Sequence, residues 1–313
     1  MSQASRTGTP PALPTPVTAP RRVVSGTTYL VSRRCTQREL LLKPSALTNL
    51  IFKFVLAVAA ARYVVLIHAV CVMSNHVHLV LTDRRANLPE FSRVLDGVVA
   101  KAMNALHGRW ENFWAPSSYS AVALASPADI VEKVAYTLAN PATAHLVERG
   151  KQWPGVWSDP RFIGQPGERL ERPGHYFDVD GSMPETANLV FSKPPGFESA
   201  EAFRALVVAR VTELEQEAAA EREARGVAVL GVRRILAQSP TDRPDPVEPR
   251  RGLNPRIAGK DKWKRIELLG QLAEFLEAHR DAFLRHCRGE LRVVFPHGTY
   301  LMRVRFGTAC ASS

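Results

Sequence analysis

Apolar residues recur along the chain with two periods, and each switch between them marks an element. Thr27-Thr28-Tyr29-Leu30-Val31 is β-branched and aromatic and predicts a strand. Leu47 to Arg62 carries few charges and reads as a helix. Tyr63 to Met73 is a nearly unbroken apolar run, as a buried strand is. Ser74-Asn75 is a tight-turn pair, and His76-Val77-His78-Leu79-Val80-Leu81-Thr82 is the next strand, so the two runs form a hairpin. Leu88 to Leu106 returns to helical spacing, with Pro89 tolerated in its first turn. A linker carrying Trp110, Phe113, Trp114 and Tyr119 follows. Ser126-Pro127 then opens a helix, Ala128 to Leu138, with Asn140-Pro141 beyond it. The order strand–helix–hairpin–helix–helix predicts an α+β fold, an antiparallel sheet with helices packed on it.

After Trp157 the pattern changes. Residues 158–200 are rich in Gly and Pro and read as loops. Ser199 to Arg225 and Lys262 to His286 read as helices, and Val227 to Gln238 as a third. Residues 239–262 are a Pro- and Arg-rich loop. Val293-Val294-Phe295 and Tyr300 to Phe306 suggest a closing hairpin around Pro296-His297-Gly298. Residues 161–313 are therefore expected to form a mainly helical C-terminal extension or second unit. At the other end, residues 1–22 hold five prolines and no acidic residue. Such a segment buries too little apolar surface to offset its chain entropy, and a disordered basic arm ending in Arg21-Arg22 is expected.

Charge narrows the partner. The 313 residues carry a formal net charge of +11, which points to a polyanion such as nucleic acid. Cys35, Cys71, Cys287 and Cys310 show no CxxC or zinc-like spacing. With no apolar leader at the N-terminus, free thiols and a cytoplasmic setting are expected. The most apolar stretch, Leu50 to Met73, is interrupted by Lys53, Arg62 and His68, so it is read as core rather than a membrane span.

The chemistry sits on the second strand of the hairpin. Residues two apart on a strand point the same way, so His76 and His78 project together and can hold one metal ion. They can equally be two unrelated histidines on a polar face. Tyr136 and Asn140, four apart on a helix, share a face. A tyrosine can serve as nucleophile, and an amide oxygen suits Mg²⁺ or Mn²⁺. The plain alternative for Tyr136 is a core aromatic. His68 and His107 are read as ordinary.

Together these residues resemble a family. Val72-Met73-Ser74-Asn75-His76-Val77-His78-Leu79-Val80 is similar to the MPNHVH signature of the HUH-type tyrosine transposases, in particular the REP-associated ones. Tyr136-Thr137-Leu138-Ala139-Asn140-Pro141-Ala142 resembles the family's Y-x-x-x-N-P-V context. Thr28 to Arg34 is similar to its opening strand, and Phe113-Trp114 with Tyr119-Ser120 to its aromatic segment. The resemblance covers about residues 22–160. It departs at Ser74, where the family commonly has Pro, and at Ala142-Thr143-Ala144-His145, which lacks the usual basic residue and glycine.

The resemblance implies a ferredoxin-like HUH core over residues 23–160. It implies Tyr136 as nucleophile, with His76, His78 and Asn140 holding Mg²⁺ or Mn²⁺. The expected reaction is nicking and rejoining of single-stranded or hairpin DNA through a 5′-phosphotyrosine. Arg21, Arg22, Arg33 and Arg34 are candidate phosphate contacts, and Trp110, Trp114 and Tyr119 candidate stacking surfaces for unpaired bases. Solvated surface and hydrophobic packing are the alternatives for these. Members of related groups act as homodimers or alone, so both states stay open. Two rival readings remain. One is an inactive, domesticated hairpin-binding protein of the same fold. The other is a zinc hydrolase, which needs a third strong ligand and a carboxylate base, with Asp83 the only close acid.

Overall fold

The computed structural model describes residues 19–116, 119–174, 176–178, 180–244 and 255–312. The first 18 residues of the expected arm lie outside them.

The N-terminal elements are β1 (Thr27–Arg34), α1 (Ala46–Tyr63), β2 (Val65–Met73), β3 (His76–Asp83), α2 (Leu88–Leu106), β4 (Ser120–Leu124) and α3 (Pro127–Thr143). Caps set their ends. The Ser45 side chain accepts from the Thr48 N–H at the start of α1. Ser126 accepts from Asp129 N–H at the start of α3. The Asp83 carboxylate accepts from the backbone N–H groups of Arg85, Asn87 and Leu88 and fixes the turn into α2.

The strands pair antiparallel in the order β2-β3-β1-β4. A β-α-β-β-α-β chain with that order is the split βαβ, ferredoxin-like arrangement, as expected. A fifth, two-residue strand joins β4 in parallel, so the sheet is mixed at one edge rather than wholly antiparallel. Register separates the faces. Arg34 lies opposite His76, and Ser32 opposite His78, so all four share one face. Arg33 and Val77 point to the other, toward α1 and α2, where Arg33 meets Asp96 of α2. α3 lies over β2 and β3 on the histidine face. Phe52, Phe54 and Phe91 of α1 and α2 are fully buried, each contributing roughly 1.5–3 kcal/mol of apolar burial. The apolar stretch from Leu50 is thus the end of a core helix followed by a core strand. α1 is nonetheless long and apolar enough by composition to cross a membrane.

Beyond α3 come β5 (Glu168–Glu171), β6 (Thr186–Leu189), α4 (Ala200–Arg225), α5 (Val232–Ala237), β7 (Ile257–Ala258), α6 (Lys262–Cys287) and α7 (Leu301–Phe306). The chain divides into two compact units. One is Ser25–Ile266, and the other joins the described residues up to Val24 with those from Glu267 on. The first of these units runs through residue 160, where the composition shifts. α4 packs along α3 within the first. Arg21 and Arg22 belong to the second, where Arg22 bridges to Thr299 and Val23 N–H donates to Gly298.

Four further details depart from the sequence pattern. The segment Ser120–Leu124 is a strand although Ser and Ala dominate it, because β1 offers a free edge. The 158–200 region, read as loops, contains the β5–β6 pair. Val227 to Gln238 yields only the short α5. Tyr300 to Phe306, read as a strand, contains the helix Leu301–Phe306. Leu, Met and Arg favour a helix there, and Gly307 closes it in the left-handed region at φ 62°. All four cysteines are free thiols.

Candidate active site

The hairpin turn brings the two histidines together. Their rings meet edge to face with centroids 4.8 Å apart. Asn75, in the turn, orients the first. Its amide nitrogen donates to the Arg38 carbonyl at 3.3 Å, which leaves its oxygen 2.7 Å from His76 Nδ1 as an acceptor. The network therefore assigns the proton of His76 to Nδ1. His78 is buried, and its Nδ1 has no hydrogen-bond partner. Burial, then the His76 ring and the Lys133 ammonium, push its pKa down to about 3. It is a neutral imidazole with a lone pair to offer at any ordinary pH.

α3 supplies the other half. The Tyr136 ring packs against His78 with centroids 5.4 Å apart, yet Tyr136 keeps 37% of its surface exposed. Burial of the rest raises its phenol pKa, and a hydrogen bond from the Asn140 side chain works against that rise. Asn140 itself is buried. The pair stays on one helical face because α3 does not stop at Leu138. Pro141 lies inside it, and the carbonyls of Asn140 and Pro141 accept from Ala144 and Leu146 N–H beyond. The steric bias of Pro141 against a helical Asn140 is overridden by packing. Ala139 to Ala142 are buried, and the Trp157 indole donates to Leu138 O at 2.9 Å.

His76, His78 and Asn140 are the groups here that could hold a divalent ion. The His78 Nδ1 is a buried polar atom that lacks a hydrogen-bond partner, and the groups beside it are the His76 ring and, at the Tyr136 phenol, the Asn140 amide. Among the described residues no cluster of three His, Cys, Asp or Glu offers the closed donor set that zinc favours. Asp83, the acid a zinc hydrolase would need, is at the opposite end of β3 and committed to three backbone N–H groups.

The other candidates separate. Arg34 is exposed on the histidine face, across from His76. Arg33 is turned to the opposite face, 3.6 Å from Asp96 and 5.9 Å from the Trp114 ring centre. Trp114 is 9% exposed, packs on Phe113 and donates to Asp96 O, so it is a core residue rather than a stacking surface. Tyr119 is half-buried at the entry to β4. Trp110 is 91% exposed. Arg21 and Arg22 lie in the other compact unit. Two residues at the site escaped the sequence reading. Asn75 looked like a turn residue alone. Lys133 belongs to neither motif, although its spacing of three from Tyr136 on a helix carries the signal.

No protein-family profile matches the chain, and no curated protein matches it. Solved structures resemble it, two transposases by description among them. One is a REP-associated tyrosine transposase bound to a REP hairpin, at 18% identity and a TM-score of 0.39, covering 57% of this chain and 97% of that one. The other is a protein of Deinococcus radiodurans R1 described as a transposase, at 24% identity and a TM-score of 0.26, covering 33% of this chain and 82% of that one.

Proposed function

We propose that this chain is a transposase-type enzyme, a metal-dependent single-stranded DNA endonuclease and strand transferase with Tyr136 as nucleophile. The observation that carries the reading is the convergence of His76, His78 and Tyr136 ring on ring, with Asn140 at the phenol. His76, His78 and the Asn140 amide oxygen would hold Mg²⁺ or Mn²⁺. Such an ion, when bound, stabilises charge on the phosphate oxygens. Asn140 steadies the phenol for attack, and the exposed edge of Tyr136 leaves room for a single strand to approach. The phenol oxygen joins the 5′-phosphate, and the 3′-oxygen leaves as a hydroxyl. That hydroxyl, or another, later attacks the tyrosyl ester, so bond energy is conserved and no nucleotide cofactor is needed. Single-stranded or hairpin DNA is the substrate class.

The test is a labelled hairpin-bearing oligonucleotide incubated with the protein and Mn²⁺. A covalent protein–DNA adduct is expected from the native chain and none from Tyr136→Phe. Tight binding without any adduct would instead make the chain an inactive hairpin-binding protein.

A further inference from the structure

We propose that Lys133 is a phosphate-contacting residue, the cation that meets the scissile phosphate as Tyr136 attacks it. This rests on the reading above and adds a group to it that neither the histidine motif nor the tyrosine motif contains.

Lys133 precedes Tyr136 by three residues on α3, so the two side chains lie on one face. Its Nζ sits 5.3 Å from the centre of the Tyr136 ring. His78 meets the same ring at 5.4 Å. The tyrosine is thus flanked by an ammonium and by the histidine pair. The Lys133 charge also reaches His78, whose protonation it disfavours. A plain solvated lysine would be expected to lean on a neighbouring acid. The acids near it on α3 are committed elsewhere. Glu132 is held by Arg210 at 3.0 Å and Lys260 at 2.8 Å. Asp129 accepts from the Lys260 backbone N–H at 2.8 Å and is bonded to Ser126. Neither acid is therefore left to draw Lys133 away from the phenol.

That position has a use in the reaction. As the phenol oxygen bonds to phosphorus, its proton passes to solvent. The bond from phosphorus to the 3′-oxygen breaks, and that oxygen takes a proton from solvent. Negative charge collects on the non-bridging oxygens in between. A compact ammonium on a flexible stem can follow those oxygens without a fixed fork geometry.

The experiment compares native protein with Lys133→Gln and Lys133→Arg. Hairpin oligonucleotides carry either an ordinary phosphodiester or a single neutral methylphosphonate at the linkage cut by the native protein. On the phosphodiester, Lys133→Gln should form adduct about 100-fold more slowly, and Lys133→Arg should stay within about 10-fold. On the methylphosphonate, which lacks the charge Lys133 meets, the deficit of Lys133→Gln should shrink to about 3-fold or less. A purely structural role would give the same deficit on both linkages, and that result overturns the proposal. So does a native rate in Lys133→Gln on the phosphodiester. Absence of any adduct from the native protein is a different result, and it removes the nuclease reading on which the proposal stands.

Discussion

The two ends of the β2–β3 hairpin use the same residue type in opposite ways. At the end far from the turn, His68 is fully buried, and burial lowers its pKa to about 4. Its Nδ1–H donates to Ser192 O and its Nε2 accepts from the Thr82 hydroxyl, each at 2.7 Å. Thr82 in turn accepts from Thr28 at 2.7 Å. At the turn end, His78 is also buried and also lowered, to about 3, yet its Nδ1 has no partner and it stands against an exposed tyrosine. Burial and a depressed pKa therefore do not single out a site here. What distinguishes the ends is whether the polar atoms are answered. A closed network stabilises the fold, whereas an open one is available to an ion or substrate.

The sharpest way to break this contrast is to remove each ring in turn. His78→Ala should cut adduct formation by about 1,000-fold or more, with Mn²⁺ binding lost along with it. Its urea midpoint should fall less than that of His68→Ala, because ring packing is lost but no hydrogen bond to Nδ1. His68→Ala should do the reverse. It leaves the Ser192 carbonyl without the imidazole donor and Thr82 with Thr28 alone, opens a cavity in the core, and should cost about 2–4 kcal/mol in urea unfolding. Its metal titration, followed by calorimetry, should match the native protein. Equal stability losses in the two variants would mean that the ends do not differ as described.

The sequence made the turn end legible and left the closed end dark. The turn of the hairpin is readable to the residue because apolar, β-branched runs flank Ser74-Asn75, while its outer ends fall one or two residues from the pattern, and period two alone puts His76 beside His78. Period 3.6 paired Tyr136 with Asn140 in the same way. Local rules could not reveal that α3 lies over this face of the sheet, which is a matter of chain crossover. The partners of His68 are 14 and 124 residues away, so no local pattern announces them. Ser120–Leu124 hid for a related reason. Its Ser and Ala residues have little strand preference, and it is a strand only because β1 pairs with it. Trp114 shows the limit from the other side. An aromatic in a linker looked available, and only tertiary packing shows it spent in the core.

A second test exploits pH. Unfolded His68 titrates near 6.5 and folded His68 near 4. Between those values the unfolded chain binds more protons, so this part of the stability is complete above pH 6.5 and is lost as pH falls toward 4. The full window is worth about 3 kcal/mol. Urea unfolding at pH 7 and pH 4.5 should show a smaller drop for His68→Gln than for the native protein. Whatever slope remains in the variant belongs to other groups, His78 among them. An unchanged slope would place the His68 ring in water rather than in the network.

The smallest expected effect separates two adjacent arginines. Arg33 and Arg34 are neighbours in sequence but face opposite sides of β1, one toward α2 and one beside His76. Burial pushes the Asp96 carboxyl up to about 7 even with Arg33 pulling it back. Arg33→Gln should therefore destabilise the fold, by about 2 kcal/mol, without touching DNA binding. Arg34→Gln should leave stability within about 0.5 kcal/mol. If Arg34 contacts one phosphate of a single strand, its loss should reduce the log–log salt slope of binding by about 0.7. Fluorescence anisotropy with a hairpin oligonucleotide across a salt series measures that slope. The same reduction in both variants would mean that the two faces of β1 are not distinguished by DNA, and that the strand reaches the sheet from the α2 side as well.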